Sequence, residues 1–255
     1  MDQIQTVWQL IGLGAIAGVF PIYLGIVSAF FIIHLINRSW EGFCVGIATG
    51  VLIYLFFDLM HEAVELTSPQ NVVSGVVFLG SLLLGFVGLV AIEQRQQGRY
   101  RLEPSQLFLP YMIALGMGLH NLGEGLAIGA SFAHQEWVLS GLLVSGFALH
   151  NGTEGFAIIG ATGRSKPGIK DTFLMGMLAG LPTCIGTLIS GFTVSPYFSI
   201  TFYALAAGSL LYVIFSLITI FYTASRRIHL AFGVFTGISL MYLTAMGLTI
   251  VIGGS

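Results

Sequence analysis

The chain is built from long apolar segments separated by short polar joints, and this alternation constrains its fold more than any other feature. Hydrophobic residues make up 56% of the 255 residues and charged residues only 8%, against roughly 25% charged in an ordinary soluble domain. Each segment has about 22 to 29 residues, enough to cross a hydrocarbon core of ~30 Å. The sequence therefore predicts an all-α integral membrane protein with eight transmembrane helices at 6–34, 42–66, 71–92, 107–133, 137–162, 171–193, 198–223 and 229–252.

The joints leave no room for a second domain, so we expect a single transmembrane domain over residues 1–255. The first segment is too long for the apolar core of a secretory signal and follows no basic stretch, which predicts a retained spanning helix. Pro21 lacks a backbone donor and should bend that helix. Cys44 and Cys184 lie in separate segments and indicate neither a disulfide framework nor a thiolate metal site. A net charge of −2 gives no indication of nucleic-acid binding.

The positive charges sort to one side of the predicted membrane. Every lysine and arginine falls in or beside a joint that follows an odd-numbered segment, and the opposite joints contain none. Positively charged joints face the cytoplasm. We therefore expect both termini outside a cell membrane, plasma or inner. The nine cations are Arg38, Arg95, Arg99, Arg101, Arg164, Lys166, Lys170, Arg226 and Arg227.

A six-residue pattern, His-Asn-x-x-Glu-Gly, occurs twice, thirty residues apart, in segments four and five. Ionisable side chains in a bilayer core cost about 2.5–3.5 kcal/mol at mid-helix, so they indicate function. Each histidine and glutamate are four residues apart and share one helix face. The polar members are His120, Asn121 and Glu124 in segment four and His150, Asn151 and Glu154 in segment five.

The two copies can meet because their helices run antiparallel through a short joint. Each histidine lies about thirteen residues into its segment, at a depth of ~20 Å. Two imidazoles and two carboxylates form a ligand set suited to a divalent transition metal, and the two carboxylates balance its charge. The alternative is that each histidine and glutamate only satisfies its neighbour within a buried polar network.

A second polar stripe lies near the end of segment two. Asp58, His61, Glu62 and Glu65 are spaced three and four residues apart, so they lie along one face of a helix that ends at the outer surface. These side chains could attract cations and pass them inward, or they could form a solvated acidic helix end. The joint between segments four and five contains His134 and Glu136, which are typical of a polar turn, although they could also touch an arriving metal ion.

At these residues the sequence resembles the ZIP (Zrt/Irt-like) divalent metal transporters, in particular the prokaryotic branch. The resemblance covers the eight spans, the outside termini and the paired motifs. It implies a 3+2+3 arrangement, in which an inverted repeat of outer segments surrounds the central motif pair, and it implies a homodimer. It also implies a primary transport site at His120, Glu124, His150 and Glu154, with Asn121 and Asn151 helping to form an adjacent second site.

Three departures from the family pattern affect what the resemblance implies. Gly123 and Thr153 stand where the motif proline is expected, so a kink there must come from glycine flexibility. Segment six reads Gly-Leu-Pro-Thr-Cys at 180–184, without the carboxylate that completes the second site, which favours one metal ion over two. The cytoplasmic joint at 94–106 contains no histidine, so metal sensing through a His-rich loop is not expected.

The function predicted is therefore uptake of a divalent transition metal ion as transported substrate, zinc first, with iron, manganese and cadmium as further candidates. The ion would enter past Asp58, His61 and Glu62 and bind at the paired motif. Two alternatives remain: an intramembrane metalloenzyme with a carboxylate–histidine centre, and a proton-coupled carrier of an organic solute. The first needs further carboxylates at the same depth, and the second usually needs a buried cationic side chain. We expect a transporter and not an enzyme.

Protons should compete with the metal, because the imidazole nitrogens and carboxylate oxygens that bind a divalent ion also bind protons. We expect zinc uptake into proteoliposomes to fall as the external pH is lowered from about 7.5 to about 5.5, a range in which an unperturbed histidine gains its proton. An uptake rate that rises in acid would contradict the predicted ligand set.

Overall fold

The computed structural model describes residues 3–35, 38–68, 70–99, 107–162, 167–192, 195–222 and 227–253. Every regular element within these ranges is helical. The elements are α1 (Gln3–Gly14), a π-helix (Ala15–Val19), α2 (Phe20–Leu35), α3 (Arg38–Glu65), α4 (Val72–Arg99), α5 (Phe108–Ala133), α6 (Trp137–Gly160), α7 (Ile169–Ser190), α8 (Pro196–Phe221) and α9 (Arg227–Gly253).

Helix α1, the π-helix and α2 follow one another without a break, so the described residues form eight rods at the positions of the eight predicted segments. Six of the rods are long and apolar enough to cross a membrane by length and composition: Ile4–Ile33, Trp40–Glu65, Val72–Arg95, Ile169–Ser190, Pro196–Phe221 and Arg227–Gly247. The other two, α5 and α6, carry the repeated polar motif. The all-α fold and a multi-pass membrane protein are thus confirmed, while eight crossings remain a prediction.

Part of the predicted topology lies outside the described residues. Pro69 and the stretch 100–106 are not described, nor are four of the nine cations: Arg101, Arg164, Lys166 and Arg226. The sidedness of the protein therefore stays a prediction from the sequence.

The rods pack as two groups, and the motif helices α5 and α6 contact helices of both. In the first group, α5 packs on α7, α6 packs on α2, and the π-helix crosses α7. In the second group, α3 packs on α9, α4 packs on α8, and α3 packs on α8. Contacts of α5 with α8 and of α6 with α3 join the groups. The motif helices consequently touch each other in the centre and have helices of both groups around them.

Glycines allow the closest of these helix contacts. A Cβ atom at Gly125 would overlap the carbonyl oxygen of Thr183 in α7, and one at Gly155 would overlap the carbonyl oxygen of Ile22 in α2. Gly46 and Gly233 bring α3 and α9 together in the same way. Small residues at such crossings let two backbones approach until dispersion contacts hold them, which is the main attraction between helices in lipid.

A second sequence repeat lies in α2 and α7, the helices that pack on the motif helices. Helix α2 reads Pro-x-x-x-Gly at Pro21 and Gly25, and α7 reads the same at Pro182 and Gly186. Gly25 packs on Gly152 of α6, whereas Gly186 packs on the equivalent backbone of α5 at Leu122. The sequence pattern predicts a bend at Pro21, and the irregular π-helix ends at Val19, just before it.

We expect Gly25→Ala to lower the stability of the detergent-purified protein, because its Cβ would overlap the carbonyl oxygen of Gly152. Overpacking of this kind costs about 1–3 kcal/mol. The measurement is the thermal unfolding midpoint. Gly80→Ala is the control, since a Cβ there meets nothing within 4 Å; equal midpoints for the two variants would contradict the proposed packing.

Candidate metal centre

A tight turn places the two motif helices side by side. Helix α5 ends at Ala133 and α6 begins at Trp137, and Gln135 between them has a φ of 62° in the left-handed region. The short turn makes α5 and α6 antiparallel neighbours, as the sequence predicts. The imidazole rings of His120 and His150 consequently lie with their centroids 6.4 Å apart.

Four ionisable side chains converge in the space between these helices. His120, Glu124, His150 and Glu154 are 1%, 3%, 4% and 0% exposed. His120 Nε2 lies 3.1 Å from Glu124 Oε1 and 3.5 Å from Glu154 Oε1. His150 Nε2 makes a short contact with the same oxygen of Glu124. Two of these three pairs, His120–Glu154 and His150–Glu124, cross between the helices, so the two motif copies form one composite site.

The spacing of these atoms suits a four-coordinate ion. Two ligand atoms that are each about 2.0 Å from a tetrahedral zinc ion stand about 3.3 Å apart. The separations of 3.1 Å and 3.5 Å around His120 Nε2 bracket that value. Ligand atoms of His120, Glu124 and His150 all lie within 4.8 Å of one another. These three residues could therefore hold a divalent ion once the short contact between His150 and Glu124 opens.

Each asparagine donates a hydrogen bond to the glutamate of the other motif helix. Asn121 donates from Nδ2 to Glu154 Oε2 at 2.9 Å and to the carbonyl oxygen of Ala179 in α7 at 3.1 Å. Asn151 donates to Glu124 Oε2 at 2.9 Å and to the carbonyl oxygen of Ala17 at 2.9 Å. Oε2 of each carboxylate thus accepts a hydrogen bond from an asparagine, and Oε1 faces the histidines.

Several buried polar atoms of the site have no hydrogen-bond partner. These are Nδ1 and Nε2 of His120, Oε1 of Glu154 and the side-chain oxygens of both asparagines. A buried polar group without a partner costs about 1–3 kcal/mol. A purely structural histidine–glutamate network would satisfy its members. Nε2 of His120 and Oε1 of Glu154 instead face each other at 3.5 Å without a hydrogen bond, which leaves both atoms available to a metal ion.

A cavity of about 340 Å³ leads to the centre from the end of the protein that contains the α5–α6 turn. Along α5 it is lined at one-turn intervals from His134 down to Glu124 and His120, over about 21 Å of helix. Asp58, Glu62 and Glu136 add acidic side chains, and no lysine or arginine is among the described residues of the lining. The cavity is therefore suited to cations.

The structure divides the acidic stripe of α3 in two. Asp58 and Glu62 line the cavity. His61 and Glu65 instead pair with each other at 3.3 Å, with side chains 69% and 65% exposed, and neither belongs to the lining. The roles of Asp58, His61 and Glu62 in binding remain predictions, but only two of these residues lie beside the cavity.

The α5–α6 turn lies beside the cavity. His134 and Glu136, for which the sequence left open a plain polar turn or contact with an arriving metal ion, both line the cavity at its outer end. Tyr203 of α8 also lines the cavity and carries no sequence pattern that singles it out. The available signal was that a histidine and a glutamate stand in the joint directly above the paired motif.

No family model matches the chain, and the curated proteins that are similar to it include two that are named as zinc transporters. A protein of Arabidopsis thaliana named "Putative zinc transporter" is 29% identical over 160 residues, covering 62% of this chain and 25% of that protein. The human zinc transporter ZIP4 is 32% identical over 117 residues, covering 44% of this chain and 18% of that protein. The chain thus spans a quarter or less of the length of these relatives.

We expect Asp58→Asn and Glu62→Gln to raise the KM for zinc uptake about threefold at low ionic strength, because each removes a negative charge that concentrates cations in the cavity. The measurement is the initial uptake rate at varied zinc concentration. Glu65→Gln removes the same charge from the exposed face of α3 and should leave KM unchanged. Equal effects of all three variants would show that only the general surface charge matters.

Proposed function

We propose that this chain belongs to the ZIP family and moves a divalent transition metal ion across the membrane through the centre on α5 and α6. Both relatives support the family and neither is named as an enzyme, whereas the prokaryotic branch stays a prediction. The observation that carries the proposal is the buried His120–Glu124–His150 cluster at the floor of an acidic cavity. Zinc is the first candidate, since both relatives are named for it, followed by iron, manganese and cadmium.

If the positively charged joints face the cytoplasm, the end of the cavity at the α5–α6 turn opens outside the cell. The proposed path begins at this end. The ion passes Glu136, Asp58 and Glu62 and meets His120 and Glu124 first, because these two line the cavity and His150 does not. Binding of His150 and Glu154 then completes four ligands. An ion that arrives in this order is loaded from outside, as uptake toward the cytoplasm requires.

Beyond the site the path is closed by apolar packing. Ile113 and Met117 lie two turns and one turn before His120 on α5, and both are 0% exposed. They belong to a core that also contains Ala157 of α6 and Met175 of α7. Release on this side requires these helices to shift, which favours a carrier that opens alternately over a permanently open channel.

We further propose that the centre holds one ion. The second oxygens of Glu124 and Glu154 accept hydrogen bonds from the asparagines, so they are engaged by donors. Helix α7 brings no carboxylate to this place, because Ala179 contributes only its carbonyl oxygen. Asn121 and Asn151 then act on the site by holding its glutamates in place.

The proposed 3+2+3 arrangement is supported by the way the helix contacts repeat. In an inverted repeat, α2, α3 and α4 correspond to α7, α8 and α9, and α5 corresponds to α6. Under this correspondence the α5–α7 contact is equivalent to the α6–α2 contact. The α3–α9 contact is likewise equivalent to the α8–α4 contact. The Pro-x-x-x-Gly repeat at Pro21 and Pro182 obeys the same correspondence. A homodimer in a plasma or inner membrane completes the proposal.

The metalloenzyme alternative is less well supported by the ligand set. Only two carboxylates, Glu124 and Glu154, accompany the two histidines within the described centre, whereas a di-iron oxidase site of this type uses about four. A carrier of organic anions is likewise disfavoured, because no described lysine or arginine lines the cavity.

We expect Glu124→Ala and Glu154→Ala each to lower zinc uptake into proteoliposomes about tenfold or more, since even the outer-shell partners of a metal site cost roughly 10- to 100-fold when they are mutated. Calorimetric titration of the wild-type protein with ZnCl₂ should give one ion per chain. Glu65→Ala is the matched control. Near-normal uptake by either centre variant would refute the proposed site, and absence of zinc binding would revive the organic-solute carrier.

A further inference from the structure

The first rod and α7 cross closely and then diverge. At the crossing the backbones are in contact, because a Cβ atom at Gly180 would lie 2.9 Å from Cα of Val19. One turn further along each helix, the ring of Tyr23 stands between the two backbones, 2.5 Å from the place that a Cβ atom of Gly176 would take. The separation thus grows within one turn from backbone contact to the thickness of an aromatic ring.

Tyr23 marks the end of this contact. Its hydroxyl donates to the carbonyl oxygen of Phe173 at 2.7 Å, and the two rings are stacked with centroids 6.2 Å apart. Beyond this pair the helices leave a cavity of about 790 Å³, more than twice the volume of the cavity that leads to the metal centre. The other residues that line this α2–α7 cavity are Phe30, Phe31, Leu35, Pro167, Ile169 and Thr172.

The α2–α7 cavity is apolar and opens sideways. Apart from the hydroxyls of Tyr23 and Thr172, its lining side chains are hydrocarbon. Phe31, Leu35 and Ile169 are exposed, so the cavity is open to the surroundings of the protein, which in a bilayer are acyl chains. An unfilled space would deprive these side chains of dispersion contacts. The lining therefore favours an aliphatic chain as the occupant.

A cation stands at the rim of this cavity. Lys170 follows Ile169 and lies one turn before Phe173, so it is at the edge of the α7 face that lines the cavity. It is exposed, and no carboxylate of a described residue forms an ion pair with it. The neighbouring Asp171 accepts a hydrogen bond from the hydroxyl of Tyr111 at 2.9 Å. Lys170 is thus available to an anion at the membrane surface, which its long aliphatic stem lets it reach.

The predicted orientation of the chain puts this rim at the cytoplasmic leaflet. The joint that leads into α7 contains Arg164 and Lys166 in the sequence, just before Pro167, and positively charged joints face the cytoplasm. The cytoplasmic leaflet is rich in anionic lipids, and basic pockets between transmembrane helices on that side bind their head groups. The apolar lining and the basic rim match the two parts of such a lipid.

We propose that the α2–α7 cavity binds one anionic phospholipid of the cytoplasmic leaflet, with an acyl chain against Phe31 and Ile169 and the phosphate at Lys170. No residue of the metal centre lines this cavity, so the site does not depend on the proposed function. Since α2 packs on α6 and α7 packs on α5, the lipid contacts both helices that support the motif helices.

The test is native mass spectrometry of the detergent-purified protein titrated with dioleoylphosphatidylglycerol or dioleoylphosphatidylcholine, which counts the lipids that each chain retains. We expect one phosphatidylglycerol per chain, bound about fivefold more tightly than phosphatidylcholine, because one lysine near an anionic head group contributes about this factor. Lys170→Gln should abolish the preference between the two lipids. Arg95→Gln, which removes an exposed cation of α4 outside the cavity, should leave the preference unchanged.

Phe31→Gln tests the acyl-chain part of the site. It should weaken the binding of both lipids about fivefold or more, since it replaces apolar surface that the chain covers. Phe235→Gln is the matched control, because Phe31 and Phe235 are each 69% exposed and only Phe31 lines the cavity. Leu35→Gln, at another exposed lining position, replaces Phe31→Gln if that variant does not purify as a folded protein.

Equal affinity of the wild-type protein for the two lipids, or equal weakening by Phe31→Gln and Phe235→Gln, would overturn the inference. A dimer that Phe31→Gln dissociates and Phe235→Gln leaves intact would also overturn it, because the cavity would then belong to an interface between two copies of the chain.

Discussion

The interaction on which the rest of this structure depends is the hydrogen bond between each buried glutamate and the asparagine of the other motif helix. Glu124 and Glu154 are at most 3% exposed, and a buried polar group that loses its hydrogen-bond partner costs about 1–3 kcal/mol. Asn151 and Asn121 supply one donor to each. Since each bond crosses from one helix to the other, α5 and α6 must stay in register.

The sequence predicted the parts of the site that follow from helical periodicity. A spacing of four puts His120 with Glu124 and His150 with Glu154, and a short joint makes the helices antiparallel, so their meeting could be foreseen. Helix bounds also fall close to the apolar segments, because lipid leaves a chain few alternatives to a helix. The all-α fold followed from composition and segment length alone.

What the sequence did not reveal depends on contacts between distant parts of the chain. The carbonyl oxygens of Ala17 and Ala179 have no side-chain pattern, so nothing marked them as partners of the asparagines. The separation of His61 from Asp58 and Glu62 depends on the rotation of α3 against its neighbours, which a shared stripe does not specify. The Pro-x-x-x-Gly repeat of α2 and α7 was visible in the sequence but shares too few identities to stand out without the contacts.

The small side chains along the cavity have a consequence for how an ion loses its water. Between the turn and the centre, α5 presents only Ser131, Ala130, Ala127 and Gly123 to the cavity, so this wall offers little beyond Cβ atoms. A volume of about 340 Å³ holds on the order of ten water molecules at ~30 Å³ each. On the proposed path, a cation can thus descend along this wall with its hydration shell largely intact and exchange water for the imidazole and carboxylate groups of His120 and Glu124. Dehydration, and with it discrimination among ions by the strength with which they hold water, is then concentrated at a single step.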